Sequence, residues 1–279
     1  MSLVNLRGFF ALMPAIRNDG AEDLSARALR AFEPLVDLGV PYIMFPRDWQ
    51  EICSPRPYMD MLNRAPIVQP DNRFARLYHH AEHIVTNAEY VARVIKHLHG
   101  KDAVTSYVPV SPPEGASGYD PDGPILLINP RKMQGGDLVR SLAVEMPDRQ
   151  FRVIGVDGMP FPPNVTVEPF YNGPYEELYR GVSLFLFPLI GEDPCGTGRV
   201  VFEALHCGIP TISKKIGGMV EVLPDDWLVH EGTIAEWRSR IEQVSAAPSA
   251  HERCARLVEA FESEREVEKI LSLVRDLIK

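Results

Sequence analysis

Residues 184–213 read LFLFPLIGEDPCGTGRVVFEALHCGIPTIS. The four apolar residues 184–187 have the length and composition of a buried strand. A loop of prolines, glycines and acids follows. Residues 199–207 are then mostly apolar and of helix length, and residues 209–213 return to a short apolar run. Continuous apolar strands joined through helices, with no polar alternation, belong to a parallel sheet covered on both faces.

The same alternation extends outward from this stretch. Downstream of residue 124 the spacing predicts strands at 125–128, 151–156, 165–170 and 227–229. Helices are predicted at 136–146, with Leu138, Val139, Leu142 and Ala143 on one side, and at 175–180 and 234–244, with a helical turn at 219–223. A long terminal helix is predicted over 252–279, with Leu257, Phe261, Ile270, Leu271, Val274 and Ile278 at helical spacing. Upstream, residues 111–123 hold Pro, Gly, Ser and Asp and almost no large apolar residue, which marks a domain boundary. Before that boundary come a helix at 21–38 closed by Gly39, a strand at 40–45 and a proline-rich stretch at 46–70. A helix at 73–82, a strand at 83–87, a helix at 88–99 and a strand at 103–108 complete this half. The fold class is α/β.

With 279 residues the chain has room for two domains, each with its own core. A net charge of -9 argues against nucleic acid or an anionic membrane as partner, and leaves room for a locally built phosphate site. The four cysteines, Cys53, Cys195, Cys207 and Cys254, are scattered without metal or redox spacing. The apolar stretch at residues 8–14 is too short for a signal-peptide core or a bilayer span, so a cytoplasmic location is expected.

An open parallel sheet binds ligands beyond the carboxyl ends of its strands, so the loops there carry the chemistry. After the strand ending at Ile128 come Asn129, Pro130, Arg131, Lys132, Met133, Gln134, Gly135 and Gly136. Two adjacent cations beside glycines that open a helix suit a diphosphate; a solvated loop would carry them equally well. After the strand ending at Phe187, Gly196 and Gly198 let backbone approach a ligand, and the helix start behind them favours negative charge. Glu203 lies a turn or more inside that helix, among Val200, Val201, Phe202, Ala204 and Leu205. A carboxylate there accepts hydrogen bonds from a pair of sugar hydroxyls more naturally than it serves as a surface charge. His79 and His83 have the i, i+4 spacing of a metal pair but no third ligand, and read as solvated helix histidines. Cys195 has no identifiable partner base and reads as a small loop residue.

Residues 187–222 resemble the donor-binding signature of group 1 glycosyltransferases (glycosyltransferase family 4, of GT-B fold). The resemblance is carried by Glu203-Ala204, by Cys207-Gly208-Ile209-Pro210 and by Gly217-Gly218-Met219-Val220-Glu221, in that order and spacing. It implies two Rossmann-like parallel-sheet domains facing a cleft. The donor domain would span 124–250, and a helix at 251–279 would pack back toward the N-terminal domain. That N-terminal domain, residues 1–110, would be a shortened acceptor-side unit. Arg47 and Asp48 there resemble the family's His-Asp segment. By the same resemblance Glu203 binds the ribose hydroxyls and Arg131 and Lys132 neutralise the diphosphate. Asn129, Gly196, Thr197, Gly198, Gly217, Gly218 and Glu221 line the donor cleft, and Phe170 or Tyr171 sits near the base. Two positions depart from the pattern. Cys195 stands eight residues before Glu203 where an acid is usual, with Glu192 three residues earlier as its candidate substitute. Gln134 stands before Gly135 where the family has lysine, with Lys132 nearby.

The expectation is a retaining glycosyltransferase of glycan biosynthesis. It takes a nucleotide-diphosphate sugar as substrate and needs no metal or other cofactor. Its acceptor (glycan, lipid or small molecule) is open, and so is assembly as a homo-oligomer or with a partner chain. The alternatives are a non-catalytic nucleotide-sugar-binding relative, a subunit of another transferase, or a GT-B relative such as a nucleotide-sugar epimerase.

Overall fold

The computed structural model describes residues 34–46, 72–114, 118–130, 135–155, 158, 160–189, 196–247 and 249–278. Chain contacts divide it into two compact units, residues 1–107 with 265–279, and residues 108–264.

The first unit is built on a parallel three-stranded sheet in the order β1 (Ile43–Met44), β2 (His83–Thr86), β3 (Val104–Thr105). Helix α1 (Asn72–His80) leads into β2 and α2 (Glu89–His99) connects β2 to β3. Tyr42, Met44, Leu77, Tyr78, Ile84, Val91 and Ile95 form the core between sheet and helices. Gly39, with φ 63, closes the turn after Val36, as its position after the apolar helix predicts. The third strand is shorter than the 103–108 expected. The ladder stops because the Tyr107 N–H turns away to donate to Glu266 Oε2 (3.0 Å) on the C-terminal helix.

The second unit holds β4 (Ile125–Ile128), α3 (Gly136–Glu145), β5 (Phe151–Ile154), β6 (Val165–Glu168) and α4 (Tyr175–Tyr179). There follow β7 (Leu184–Phe187), α5 (Arg199–His206), β8 (Thr211–Lys214), α6 (Met219–Val222) and β9 (Leu228–Val229). Helices α7 (Ile234–Ser245) and α8 (Ala250–Glu259) close the unit. All six strands are parallel, in the order β6-β5-β4-β7-β8-β9. The two central strands, β4 and β7, are apolar throughout and buried, as a sheet covered on both faces demands. The edge strand β6 leaves Val167 exposed. From β4 the chain winds to one edge of the sheet, and from β7 to the other. The carboxyl ends of β4 and β7 therefore flank the switch point, the place where such sheets bind ligands.

The C-terminal segment corrects the expectation of one helix over 252–279. Helix α8 ends at Glu259, and a separate helix α9 runs over Ser263–Ile278. The Phe261 N–H bonds back to Val258 O (2.8 Å), and its ring packs edge-on against Phe202 of α5, with centroids 5.4 Å apart. An apolar side chain that reads as one more helical-face residue is thus spent on a corner. Helix α9 belongs to the first unit. Its Glu266, fully buried, takes Lys269 Nζ (2.7 Å) and the Tyr107 N–H, and Ser106 Oγ donates to Glu266 O (3.0 Å).

Candidate nucleotide-sugar site

The site gathers five strand ends around the switch point, those of β4 to β8. At the exits of β4 and β7, Asn129 (φ 64) and Leu189 (φ 46) hold left-handed backbone, which non-glycine residues adopt at a cost. The Asn129 N–H is tied to Ile154 O (2.7 Å), while its buried Oδ1 has no donor among the described residues. A buried acceptor of this kind calls for a donor. Gly135, at the N-cap of α3, has φ 94, and a Cβ there would lie 2.5 Å from Pro188 Cγ. Only glycine lets the loop after β4 press against the exit of β7.

The start of α5 is equally tight. A Cβ on Gly198 would meet the Phe187 ring at 2.6 Å. Gly196 and Thr197 are buried beside it, and no side chain caps the helix. The Val201 N–H bonds back to Gly198 O (3.0 Å), and the helix start as a whole favours an anion. One turn in, Glu203 is 7% exposed, with Oε1 2.7 Å from Arg199 Nε. Burial raises its carboxyl above the usual range, opposed by Arg199 and by a hydrogen bond from Tyr179. The Tyr179 hydroxyl has one proton to share between Glu203 and Val200 O (2.8 Å), and the contact fixes α4 against α5. Burial pushes the Cys207 thiol up to about 12, helped by Glu176 and Glu203, so it is an inert packing residue.

Around this centre, Gly217 (φ 54) and Gly218 are buried in the turn after β8, and partly buried Glu221 follows in α6. Ser213 Oγ donates to Phe187 O (2.7 Å), joining that strand end to β7. On the other side Phe170 is 53% exposed, with its ring edge beside Gly155 and Pro130. Tyr171 turns its hydroxyl to Glu177. The ends of β4, β5 and β6 thus present an aromatic surface, and the ends of β7 and β8 present backbone and a carboxylate. The arrangement can hold a flat base, a diol and an anion at once.

The sequence-predicted residues Asn129, Phe170, Tyr171, Gly196, Thr197, Gly198, Glu203, Gly217, Gly218 and Glu221 all fall on these strand ends or on the helices they open. Arg131, Lys132, Glu192, Cys195, Arg47 and Asp48 lie outside the described residues. His79 and His80 pack edge to face, centroids 5.4 Å apart, and among the described residues no three metal-ligating side chains come together. A depression of about 760 Å³ lies at the far end of α5, where Leu205 and His206 face Ala255 and Glu259, away from the strand ends. Sequence reasoning passed over Arg199. Its signal was a cation at the first position of a helix, where an anion is favoured.

Residues 145–247 match the family model of Glycosyl transferases group 1. The solved structure of Anabaena Alr3699/HepE in complex with UDP and glucose is similar at a TM-score of 0.68 and 13% identity, over 90% of this chain and 81% of that one. The sucrose-phosphate synthase of Thermosynechococcus elongatus is similar at 0.63 and 17% identity, over 75% of this chain and 63% of that one. The GtfA/B complex is similar at 0.63 and 12% identity; this chain matches over 88% of its own length and spans 55% of the GtfA/B chain. Among curated proteins, none matches the chain. The resemblance read from residues 187–222 is borne out by the family match, and the GT-B fold class by these likenesses.

Proposed function

We propose that the chain is a retaining glycosyltransferase that uses a nucleotide-diphosphate sugar. The observation that carries this reading is the buried Glu203 carboxylate one turn inside a helix that opens on an uncapped Gly-Thr-Gly turn, at the switch point of a parallel sheet. A carboxylate buried in this helix beside the strand ends is costly unless it is paired; Arg199 reaches one oxygen, Oε1, and the reading gives the carboxylate's remaining acceptor capacity to a ligand. In this reading Glu203 takes the ribose hydroxyls, and the aromatic surface at Phe170 and Tyr171 takes the base. The α5 N-terminus, with Arg131 and Lys132, takes the diphosphate. The bond between the anomeric carbon and the diphosphate oxygen breaks, and the acceptor oxygen bonds to that carbon on the same face. Charge builds on the departing diphosphate, so preorganised N–H groups and cations act on the transition state more than on the ground state. This set of groups can perform the step without a metal ion, and no metal or other cofactor enters the proposal.

The direct experiment offers UDP-, GDP-, ADP-, TDP- and CDP-sugars to the purified chain with glycan, lipid and small-molecule acceptors. Transfer with the anomeric configuration kept, read by NMR of the product, supports the reading. An inverted product overturns retention, and nucleotide binding with no transfer from any donor favours a non-catalytic role. That second reading has its own observation: among the described residues the first unit has a three-stranded sheet and the second a six-stranded one, and the chain spans 55% of the GtfA/B chain. The other structure is a complex by name, so a partner chain that completes the acceptor side, or a second copy of this one, is the corresponding proposal here.

A further inference from the structure

Arg199 occupies the first position of α5. The helix macrodipole disfavours a cation there, and a basic residue four positions before an acidic one is the weaker order for a helical ion pair. The Arg199 side chain is 65% exposed, so as a surface charge it contributes little to stability. Yet its Nε lies 2.7 Å from Oε1 of a carboxylate that is nearly buried. A residue that breaks a local rule and spends its one strong contact on the ligand-facing carboxylate is explained by that carboxylate rather than by the helix.

We propose that Arg199 is a positioning residue for Glu203, keeping the buried carboxylate ionised and in one orientation for the paired hydroxyls of a ribose. Its purpose rests on the donor-site reading above; the ion pair itself does not. The groups that bear on Glu203 are Tyr179 and Tyr175 from α4 and Cys207 at the end of α5, with Glu176 behind Cys207. Among the described residues the positive charge bearing on Glu203 comes from Arg199. Tyr179 gives a hydrogen bond without charge, and Glu176 repels. Burial raises the carboxyl's pKa and Arg199 opposes the rise. Removing the guanidinium therefore raises it further, and the carboxylate takes up its proton at a higher pH. A neutral carboxyl is a poorer acceptor for two hydroxyls. Ribose binding is then lost as pH falls, and lost earlier on that descent in the variant.

The test has a ligand-free arm and a ligand arm. In the first, the carboxyl carbons of ¹³C-glutamate-labelled protein are titrated by NMR, with the Glu203 signal assigned by its absence in Glu203→Gln. Arg199→Met should raise the midpoint by about one pH unit or more, a tenfold change in proton affinity, and Arg199→Lys should return most of it. An unmoved midpoint overturns the role. In the second arm, dissociation constants for UDP-glucose, GDP-mannose and ADP-glucose are measured from pH 5 to 8. For the donor that binds, the pH at which affinity is lost should move up in Arg199→Met. Weakening by the same factor at every pH would assign Arg199 to the diphosphate and overturn the proposal. A shifted midpoint with none of the three donors bound by the unaltered protein would overturn the donor-site reading and the ribose role with it, while leaving the ion pair as a fact of the free protein.

Discussion

Glu203 was legible as a carboxylate in need of a partner because, flanked by Val201, Phe202, Ala204 and Leu205, it has no place in a packed face without one; the structure buries it and pairs it with Arg199. Replacing Glu203 by Gln keeps shape and removes charge, so the fold should persist while nucleotide affinity falls. Charge-assisted hydrogen bonds are worth roughly 1.5–3 kcal/mol, so the loss should be on the order of ten- to a hundredfold, read by calorimetric titration. Gly198→Ala tests the close approach at the helix start. Its Cβ would stand 2.6 Å from the Phe187 ring, and overpacking of this kind costs about 1–3 kcal/mol, measurable in a urea titration. The glycines in the sequence marked where backbone needs room. They did not show that Gly135 and Gly198 are set by Pro188 and Phe187 of their own unit, because that contact joins loops from different strands.

The elements of the second unit were legible nearly to the residue where apolar runs are short and bounded, as at β4 and β7. The C-terminal break was not, because Phe261 keeps helical spacing and its use as a corner depends on Phe202, distant in sequence. Helix α7 shows a reciprocal cap. Thr233 Oγ1 accepts the Glu236 N–H (3.2 Å), and the Glu236 carboxylate accepts the N–H groups of His230, Glu231 and Gly232 at 2.7–2.9 Å. Thr233→Ala should cost about 1 kcal/mol of stability, seen in denaturant unfolding. Burial works against the Glu236 carboxylate, but the three backbone donors outweigh it and hold its pKa below the ordinary glutamate value. Its contribution is present above the unfolded-state pKa and fades as pH falls through the folded value, so the cost of Glu236→Ala should shrink in acid. Helix α9 hangs on Glu266. Glu266→Ala would take the carboxylate from the Tyr107 N–H and leave Lys269 with Thr105 O, a loss of about 3 kcal/mol for the first unit.

At the scale of the molecule, the sequence conveys the second unit well because each βα step there repeats one pattern. The first unit is harder, since its β1 and β3 strands span two residues each and the periodic signal is correspondingly thin. If nucleotide binds at the strand ends, ligand-dependent protection in hydrogen exchange should concentrate in residues 108–264, around the exits of β4, β7 and β8. The most direct measurement is thermal stabilisation of the purified protein, without added metal, by UDP, GDP, ADP, TDP and CDP. At about a hundred times its dissociation constant, one of them should add roughly 2.7 kcal/mol, and the ten- to hundredfold weaker binding of Glu203→Gln should cut the gain to about 0.4–1.4 kcal/mol. No gain with any of the five, or a gain that Glu203→Gln leaves untouched, would contradict a nucleotide-sugar site at this switch point.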